Sequence, residues 1–247
     1  MKLNKIDPKF ITKSNPRIGL ITLGSDLRIE KDFNNLIYGR DIDLYVNRIH
    51  CYNPLTNETL AKMADDITEV TKEILPDQKL DCVAYGCTSG TVAAGYDVIK
   101  EKVNLAKPES KVTTPITSSV KALNILGINK ISIFTPYTKT INESMIDYFK
   151  NENIIVNSLS YFNIDSDLDI GKVDENYLFE VLSKIDLEDS DALFVSCTAL
   201  PVLSIIDKLE KKLNKTVLSS NQTLIWDSFN EINYKEKIKG FGKLFNS

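Results

Sequence analysis

Two cysteines stand in matching surroundings, 110 positions apart. One closes the segment Asp81-Cys82-Val83-Ala84-Tyr85-Gly86-Cys87-Thr88-Ser89, and the other closes Asp191-Ala192-Leu193-Phe194-Val195-Ser196-Cys197-Thr198-Ala199. In both, an Asp opens a short apolar run, a small residue follows, and Cys-Thr ends it. Such runs read as buried strands, which puts each thiol just past a strand and just before the next helix. Ligands of open α/β sheets sit outside the carboxyl ends of the strands. A helix N-terminus also lowers the pKa of a thiol set against it. The pattern therefore predicts two activated thiols, Cys87 and Cys197, facing one substrate. Such a pair can take a proton from one face of a carbon and deliver one to the other, or add to a double bond. Thr88, Ser89 and Thr198, with the turn amides as far as Ala199, are donors suited to a carboxylate on which charge builds.

The other two cysteines carry less. Cys82 lies in mid-strand and reads as a small core residue. Cys51 follows the sole histidine, His50, and neighbours on a strand point to opposite faces, so the two do not form a Cys-His pair. One histidine and no zinc-type cysteine spacing leave no metal site to expect. Gly86-Cys87-Thr88-Ser89-Gly90-Thr91 lacks the Gly-Lys-Ser/Thr ending of a phosphate-binding loop, and no Gly-x-Gly-x-x-Gly follows a strand, so a nucleotide cofactor is not expected.

The elements that must position these thiols alternate along the chain. Strands are expected at Ile18 to Leu23, Ile42 to Ile49, Cys82 to Tyr85 and Val112 to Thr114. A second series follows at Ile131 to Phe134, Ile154 to Leu159, Ala192 to Val195 and Val217 to Ser219. Between them helical spacing predicts Asp26 to Leu36 (loop and helix), Thr56 to Leu75, Val92 to Val103, Thr117 to Leu126, Ile141 to Lys150, Glu175 to Ile185, Pro201 to Leu213 and Gln222 to Phe229. This β-α-β-α order means an α/β fold with parallel sheets flanked by helices. Ile18-Gly19-Leu20-Ile21-Thr22 resembles Ile131-Ser132-Ile133-Phe134-Thr135 at an offset of 113, close to that of the cysteines, so the chain reads as a duplication. The expected division is a first lobe over residues 1–115 and a second over 116–220, with 221–247 packing back onto the first.

At 247 residues, 43% hydrophobic and 26% charged, the chain has ample material for a core. A net charge of −4 argues against a nucleic-acid partner. No stretch approaches the about 18 apolar residues of a membrane span, and the polar start lacks a signal-peptide core. A cytoplasmic location with free thiols is the expectation.

The residues Tyr85-Gly86-Cys87-Thr88-Ser89-Gly90, Thr135-Pro136-Tyr137, Ser196-Cys197-Thr198 and Ser219-Ser220-Asn221-Gln222 resemble the aspartate/glutamate racemase superfamily, in the branch of maleate cis-trans isomerases and arylmalonate decarboxylases. The resemblance runs from about Ile18 to Asp227. It implies two Rossmann-like lobes related by a pseudo-twofold, a cleft between them, and no cofactor. It also implies Cys87 and Cys197 as the catalytic pair, Tyr137 reaching the substrate carboxylate, and a possible homodimer.

Two positions depart from that pattern. The isomerases carry Pro-Ser-x-Asn-Thr-x-x-Glu after the first strand, where this chain has Leu23-Gly24-Ser25-Asp26-Leu27-Arg28-Ile29-Glu30. A second family asparagine corresponds to Asp167, in an Asp-rich loop. Amide N–H groups bind a carboxylate and an ionised Asp repels one. Asp26 and Asp167, as substrate-binding residues, would favour an amine, amide or hydroxyl on the substrate; alternatively Asp26 supports Cys87 as a base. The expected activity is racemisation or isomerisation of a small carboxylate or amino-acid-like molecule. Two alternatives stay open. One is decarboxylation, whose relatives have a glycine at the Cys87 position. The other is a two-lobed binding protein without chemistry.

Overall fold

The fold is seen in a computed structural model that describes every residue except Lys2, Glu188 and Ser247. Aliphatic and β-branched runs form the strands, as the pleated, half-buried surface of a sheet favours. The first half contains β1 (Arg17–Leu23), α1 (Ile29–Ile37), β2 (Asp43–Ile49), α2 (Asn57–Lys62), α3 (Ile67–Lys72), β3 (Cys82–Gly86), α4 (Thr88–Ala94), α5 (Tyr96–Ala106) and β4 (Lys111–Thr113). The second contains α6 (Pro115–Ile125), β5 (Lys130–Thr135), α7 (Lys139–Asn151), β6 (Ile155–Tyr161), α8 (Asp167–Ile170), α9 (Glu175–Leu182), β7 (Ala192–Val195), α10 (Ile206–Leu213), β8 (Thr216–Ser219) and α11 (Ser220–Glu231).

The strands make two parallel four-stranded sheets with the same order, β2-β1-β3-β4 and β6-β5-β7-β8. Register is shared as well. Ile18 pairs with Cys82 in the first sheet, and Ile131 pairs with Ala192 in the second, the positions that the repeat equates. The central strands are buried along their length, whereas the edge strands β2 and β6 are largely half-exposed. This is why the central strands read as unbroken apolar runs and the edges as mixed ones. The α/β architecture in two lobes is the one expected from the repeat.

Three helices differ from expectation. The stretch from Thr56 to Leu75 is α2, a 3-10 turn at Met63–Asp66, and α3 ending at Lys72. Asp65 and Asp66 fall at the break, and Asp is a weak helix former because its side chain competes for the backbone. The helix expected from Val92 starts earlier, at Thr88, and breaks at Gly95, whose φ of +88° is open to glycine. The helix expected from Pro201 forms only from Ile206, after a 3-10 turn at Leu203–Ile205, and residue 200 is disfavoured from helix by the proline after it.

α11 leaves β8 of the second sheet and lies against α6, β3 and β4. Small hydroxyl residues allow the close approach: Ser119 Oγ lies 3.1 Å from Thr223 Oγ1, and Thr113 Oγ1 lies 2.9 Å from Ser228 Oγ. No helix among the described residues is long and apolar enough to cross a membrane.

The second sheet's core depends on aromatic packing. Phe194 on β7 is fully buried and meets Phe149 of α7 edge-on, with ring centroids 5.5 Å apart. Phe194→Ala should lower the free energy of unfolding by about 3–5 kcal/mol, measured by urea titration; a loss under about 1 kcal/mol would contradict this account of the core.

Candidate active site

In each sheet the chain starts on one strand, lays the second on one side and the third on the other, so β1 with β3 and β5 with β7 form topological switch points. Crevices at such points are where α/β sheets bind ligands. The loop after β1 carries Ser25 and Asp26, and Cys87 follows β3. In the second sheet Tyr137 follows β5 and Cys197 lies two residues past β7. Cys51 follows β2, and Asp167 opens α8 after β6.

Cys87 occupies the N-cap of α4, where its sulfur accepts the Gly90 N–H at 3.2 Å and lies 4.0 Å from Ser89 Oγ. A Cβ at position 90 would come within 2.8 Å of that sulfur, so a glycine is what lets this amide approach. Cys197 departs from expectation. No helix starts beside it, and its φ of +95° lies where side-chain-bearing residues are rare. Its sulfur is supported instead by the Ala199 N–H and the Tyr137 hydroxyl.

The expected lowering of the thiol pKa is also not seen. Burial pushes both Cys87 and Cys197 well above the ordinary thiol value, and the Asp167 charge adds to it. The Gly90, Ala199, Ser89 and Tyr137 donors offset only part. Loss of water outweighs a two-turn helix and a few donors, because an ion in a dry site forfeits its hydration. Burial therefore favours the neutral form of both thiols.

One hydroxyl joins the two cysteine turns. Ser220 Oγ accepts from Thr88 Oγ1 at 2.8 Å and from the Cys197 N–H at 3.0 Å. Thr198 Oγ1 donates to the Gly86 carbonyl at 3.2 Å, a second tie between the same turns. Next to it, Asn221 Nδ2 donates to the Thr198 carbonyl at 2.8 Å and to Asp32 Oδ2 at 2.7 Å. The Thr88 and Thr198 hydroxyls are thus committed to holding the turns together, and Ser89 is the hydroxyl left beside Cys87.

Three carboxyls crowd the same space. Asp26 is buried and raised by that burial; its Oδ1 accepts from the Arg28 and Ile29 amides at 2.7 and 3.0 Å, and these, the Thr198 side chain and the Arg48 charge offset part of the rise. Asp167, buried with Oδ2 accepting from Ser25 Oγ at 2.6 Å, is raised to about 6 by burial and by Asp26. Asp32 keeps some surface in solvent but turns its carboxylate inward to Asn221; burial and then Asp26 raise it to about 7. Cys51 lies in this field too, raised to about 11 by burial and by Asp167.

Loops from both halves seal the site. Besides the Ser25–Asp167 bond, the Leu55 N–H donates to Asp165 O at 2.8 Å, and Leu27 packs so closely on Gly171 that a Cβ there would meet it at 3.2 Å. A cavity of about 360 Å³, lined in part by Asp26, Leu27, Arg28, Arg48 and Gly171, adjoins the seal. The structure thus gathers Asp26, Cys87, Thr88, Ser89, Tyr137, Asp167, Cys197, Thr198 and Ala199 around one cleft. Ser25, Asp32, Cys51, Ser220 and Asn221 join them. Of these, only Ser220 and Asn221 had a signal, the Ser-Ser-Asn-Gln segment; for the others nothing local in the sequence marks the role.

Two predictions follow from this geometry. Ser220→Ala leaves the Thr88 hydroxyl and the Cys197 amide without their acceptor, and should cost about 1–3 kcal/mol of stability in urea titration. The carboxyls give a pH signature. Asp167 and Asp32 hold protons in the folded state up to about 6 and 7, whereas the unfolded chain releases them near 3.8. Folding stability must therefore fall as pH rises through that window. The ligand-free protein should melt at a higher temperature at pH 6 than at pH 8, and Asp32→Asn should narrow the difference. An unchanged difference in that variant would count against the assignment.

Comparison with known proteins agrees with the architecture. The family described as arylmalonate decarboxylase matches residues 41–245. Maleate isomerase from Geobacillus stearothermophilus is 24% identical over 245 residues, covering 93% of this chain and 97% of that protein. The crystal structure of the maleate isomerase Iso from Pseudomonas putida S16 superimposes with a TM-score of 0.85 at 21% identity, over 94% of this chain and 98% of that one. A cysteine-to-serine mutant of Nocardia farcinica maleate cis-trans isomerase, with a covalently bound succinylcysteine intermediate, gives 0.86 at 18% identity over the same shares. The superpositions show a common fold, and the family match spans most of the sequence: this chain belongs to the arylmalonate decarboxylase family.

Proposed function

We propose that this protein is a cofactor-independent isomerase of a small carboxylate, with Cys87 and Cys197 as its working pair. The observation that carries this reading is the placement of two thiols at equivalent strand ends of two like sheets, tied together through Ser220. In the reacting state one sulfur is a thiolate and the other a thiol. The thiolate removes a proton from one face of a carbon next to the carboxylate, and the thiol delivers one to the opposite face. No net proton is consumed, and the two sulfurs exchange states. The same thiolate can instead add to a double bond, allow rotation and leave, the route to which the succinylcysteine of the Nocardia relative belongs.

The surroundings divide the work. Gly90 N–H is in place for a Cys87 thiolate, and Ala199 N–H with the Tyr137 hydroxyl for one at Cys197. Ala199 and Tyr137 therefore serve the sulfur before they serve the substrate. Ser89 and the turn amides remain to receive the carboxylate as charge develops on it. Because burial disfavours the thiolate, the charges that a substrate brings bear directly on its ionisation. Decarboxylation is the second reading, favoured by the description of the matching family; the thiol at position 87, where the resemblance places a glycine in decarboxylases, weighs toward isomerisation.

The test is exchange in heavy water with chiral and unsaturated small carboxylates. Deuterium should enter at carbon in the wild type, and Cys87→Ser and Cys197→Ser should each slow entry by about 10²–10⁴-fold. Exchange that survives in either variant would sink the two-thiol mechanism. Release of carbon dioxide that survives Cys87→Gly but not Cys197→Ser would establish decarboxylation instead.

A further inference from the structure

The segment ahead of β1, residues 1–16, turns its apolar side chains to solvent. Leu3, Ile6, Phe10 and Ile11 are each 78–88% exposed. Single exposed apolar residues are ordinary, but a run of them in one short stretch marks an interaction site. Lys2, Lys5, Lys9 and Lys13 alternate with them, against one acid, Asp7. The segment therefore carries a net +3, which leaves −7 on residues 17–247 out of the chain's −4. Lys5 pairs with Asp7 at 3.6 Å, whereas Lys9 and Lys13 form no ion pair among the described residues. The root is fixed: Asn15 Nδ2 donates to Asp43 Oδ1 at 3.1 Å, and the Asp43 N–H donates to Pro16 O at 2.9 Å. The Geobacillus and Pseudomonas isomerases match 93–94% of this chain but 97–98% of their own length, so the excess is on this side, and it has the size of this segment.

The same root borders a groove. Ser14, Asn15 and Pro16 line one end of it, and it runs across the amino ends of β3 and β4. Two cavities of about 480 and 440 Å³ make it up, sharing Lys79, Leu80 and Glu109. Pro76, Leu80, Ala106 and Pro108 give it apolar lining. Carboxylates outnumber lysines along it by five to four. One of those lysines, Lys107, is buried and turned inward, its Nζ donating to the carbonyls of Leu75 and Gln78 at 2.8 Å. Apolar lining with an acidic rim is the complement of a segment in which apolar residues alternate with lysines. None of residues 1–13 lines the groove of its own chain. The groove lies at the opposite end of the first sheet from Cys87, so it is separate from the thiol cleft and independent of the two-thiol reading.

We propose that the segment ahead of β1 docks in this groove on a second copy of the chain, each copy giving its segment and receiving the other's. Charge selects this occupant. A body of −7 attracts the +3 segment of another copy, and it is repelled by an anionic lipid surface or a nucleic acid. Size agrees with it. A reciprocal exchange is a twofold, self-complementary contact, and one segment with one receiving groove supplies about 20–30 residues a side, as standard interfaces do. Phe10 and Ile11 are the anchors, since large apolar side chains set in pockets carry most of the binding energy. Lys9 and Lys13 meet the rim at Glu73 and Asp77 and fix the register.

The test is sedimentation equilibrium on the full chain. The wild type should dimerise, and less tightly as salt is raised. Phe10→Ser with Ile11→Ser, and separately Lys9→Glu with Lys13→Glu, should each raise the dissociation constant at least about tenfold. Both pairs lie in an exposed segment, and urea titration should show that the fold is unaffected. Glu73→Lys with Asp77→Lys should weaken the dimer similarly, and adding these to Lys9→Glu with Lys13→Glu should restore part of the affinity. Equal mixtures of isotope-labelled and unlabelled chains, treated with a carbodiimide, should join Lys9 or Lys13 of one kind to Glu73 or Asp77 of the other. A monomer at every concentration, or a dimer indifferent to the substitutions, would overturn the proposal. So would cross-links confined to single chains, which would mean that the segment folds back on its own groove. Binding of the segment to phosphatidylserine vesicles or to DNA, without dimerisation, would overturn it as well.

Discussion

A single hydroxyl sets the geometry on which the rest depends. Ser220 begins α11 just past the last strand of the second sheet, and its oxygen accepts from a side chain of the first cysteine turn and from the backbone of the second. The bond to Thr88 fixes the start of α4 and so the N-cap that holds Cys87. The bond to the Cys197 amide supports a turn that is otherwise strained, since φ is +95° at a residue with a side chain. A residue held in a sparsely populated backbone region costs about 1–3 kcal/mol and persists only where its surroundings over-determine it. Here the Ser220 bond, the Thr198–Gly86 bond and the Asn221–Thr198 bond all act within two residues of Cys197. The last long helix is therefore part of the site as well as a cover for the first sheet.

Burial then decides the electrostatics. A thiol against a helix N-terminus and several donors would be acidified near a surface; in this closed cleft, desolvation dominates and the thiols stay neutral. The same term raises three carboxyls whose partners are few. Such a site is stable when its groups are protonated and becomes reactive when something reorganises its charge. Contacts among Ser25, Leu27, Asp165, Asp167 and Gly171 join the loops beside the two buried cysteines. Excluding water strengthens every charge interaction within the cleft, so the cost of ionising a thiol there and the strength of the donors around it have one cause.

The sequence showed the parts whose information is local. Periodicity located the strands, and the offset of 113 between Ile18 and Ile131 together with 110 between Cys87 and Cys197 corresponds to identical strand orders with the same register. Placement after a strand followed from the elements alone for Cys87 and Cys197, whereas Asp26 and Tyr137 stood out only through the resemblance. What escaped is tertiary. Asp167 was a candidate through the resemblance alone; its stretch has the composition of a solvated loop, and neither its burial nor its bond to Ser25, 142 residues away, is visible there. Asp32 sits on a helix whose buried face is read from Ile29, Phe33 and Leu36, and only the arrival of α11 turns it into an Asn221 partner. The thiol pKa escapes for the same reason: a helix N-terminus is visible in sequence, and the depth at which it is buried is not.

Duplication and divergence play different parts in this cleft. The repeat gives two thiols at equivalent strand ends, which is what a reaction at two faces of one carbon requires. A strictly symmetric pair would not distinguish one end of a substrate from the other. The asymmetry comes from the loops. After β1 the chain places Asp26, after β5 it places Tyr137, after β6 Asp167, and after β8 Ser220 and Asn221. The thiols differ in consequence: Cys87 caps a helix and receives Gly90, whereas Cys197 sits on a bent turn and receives Ala199 and Tyr137. The duplicated strands thus fix the class of chemistry, and the diverged loops, which can change without disturbing either sheet, fix what is held between the thiols and in which direction it lies.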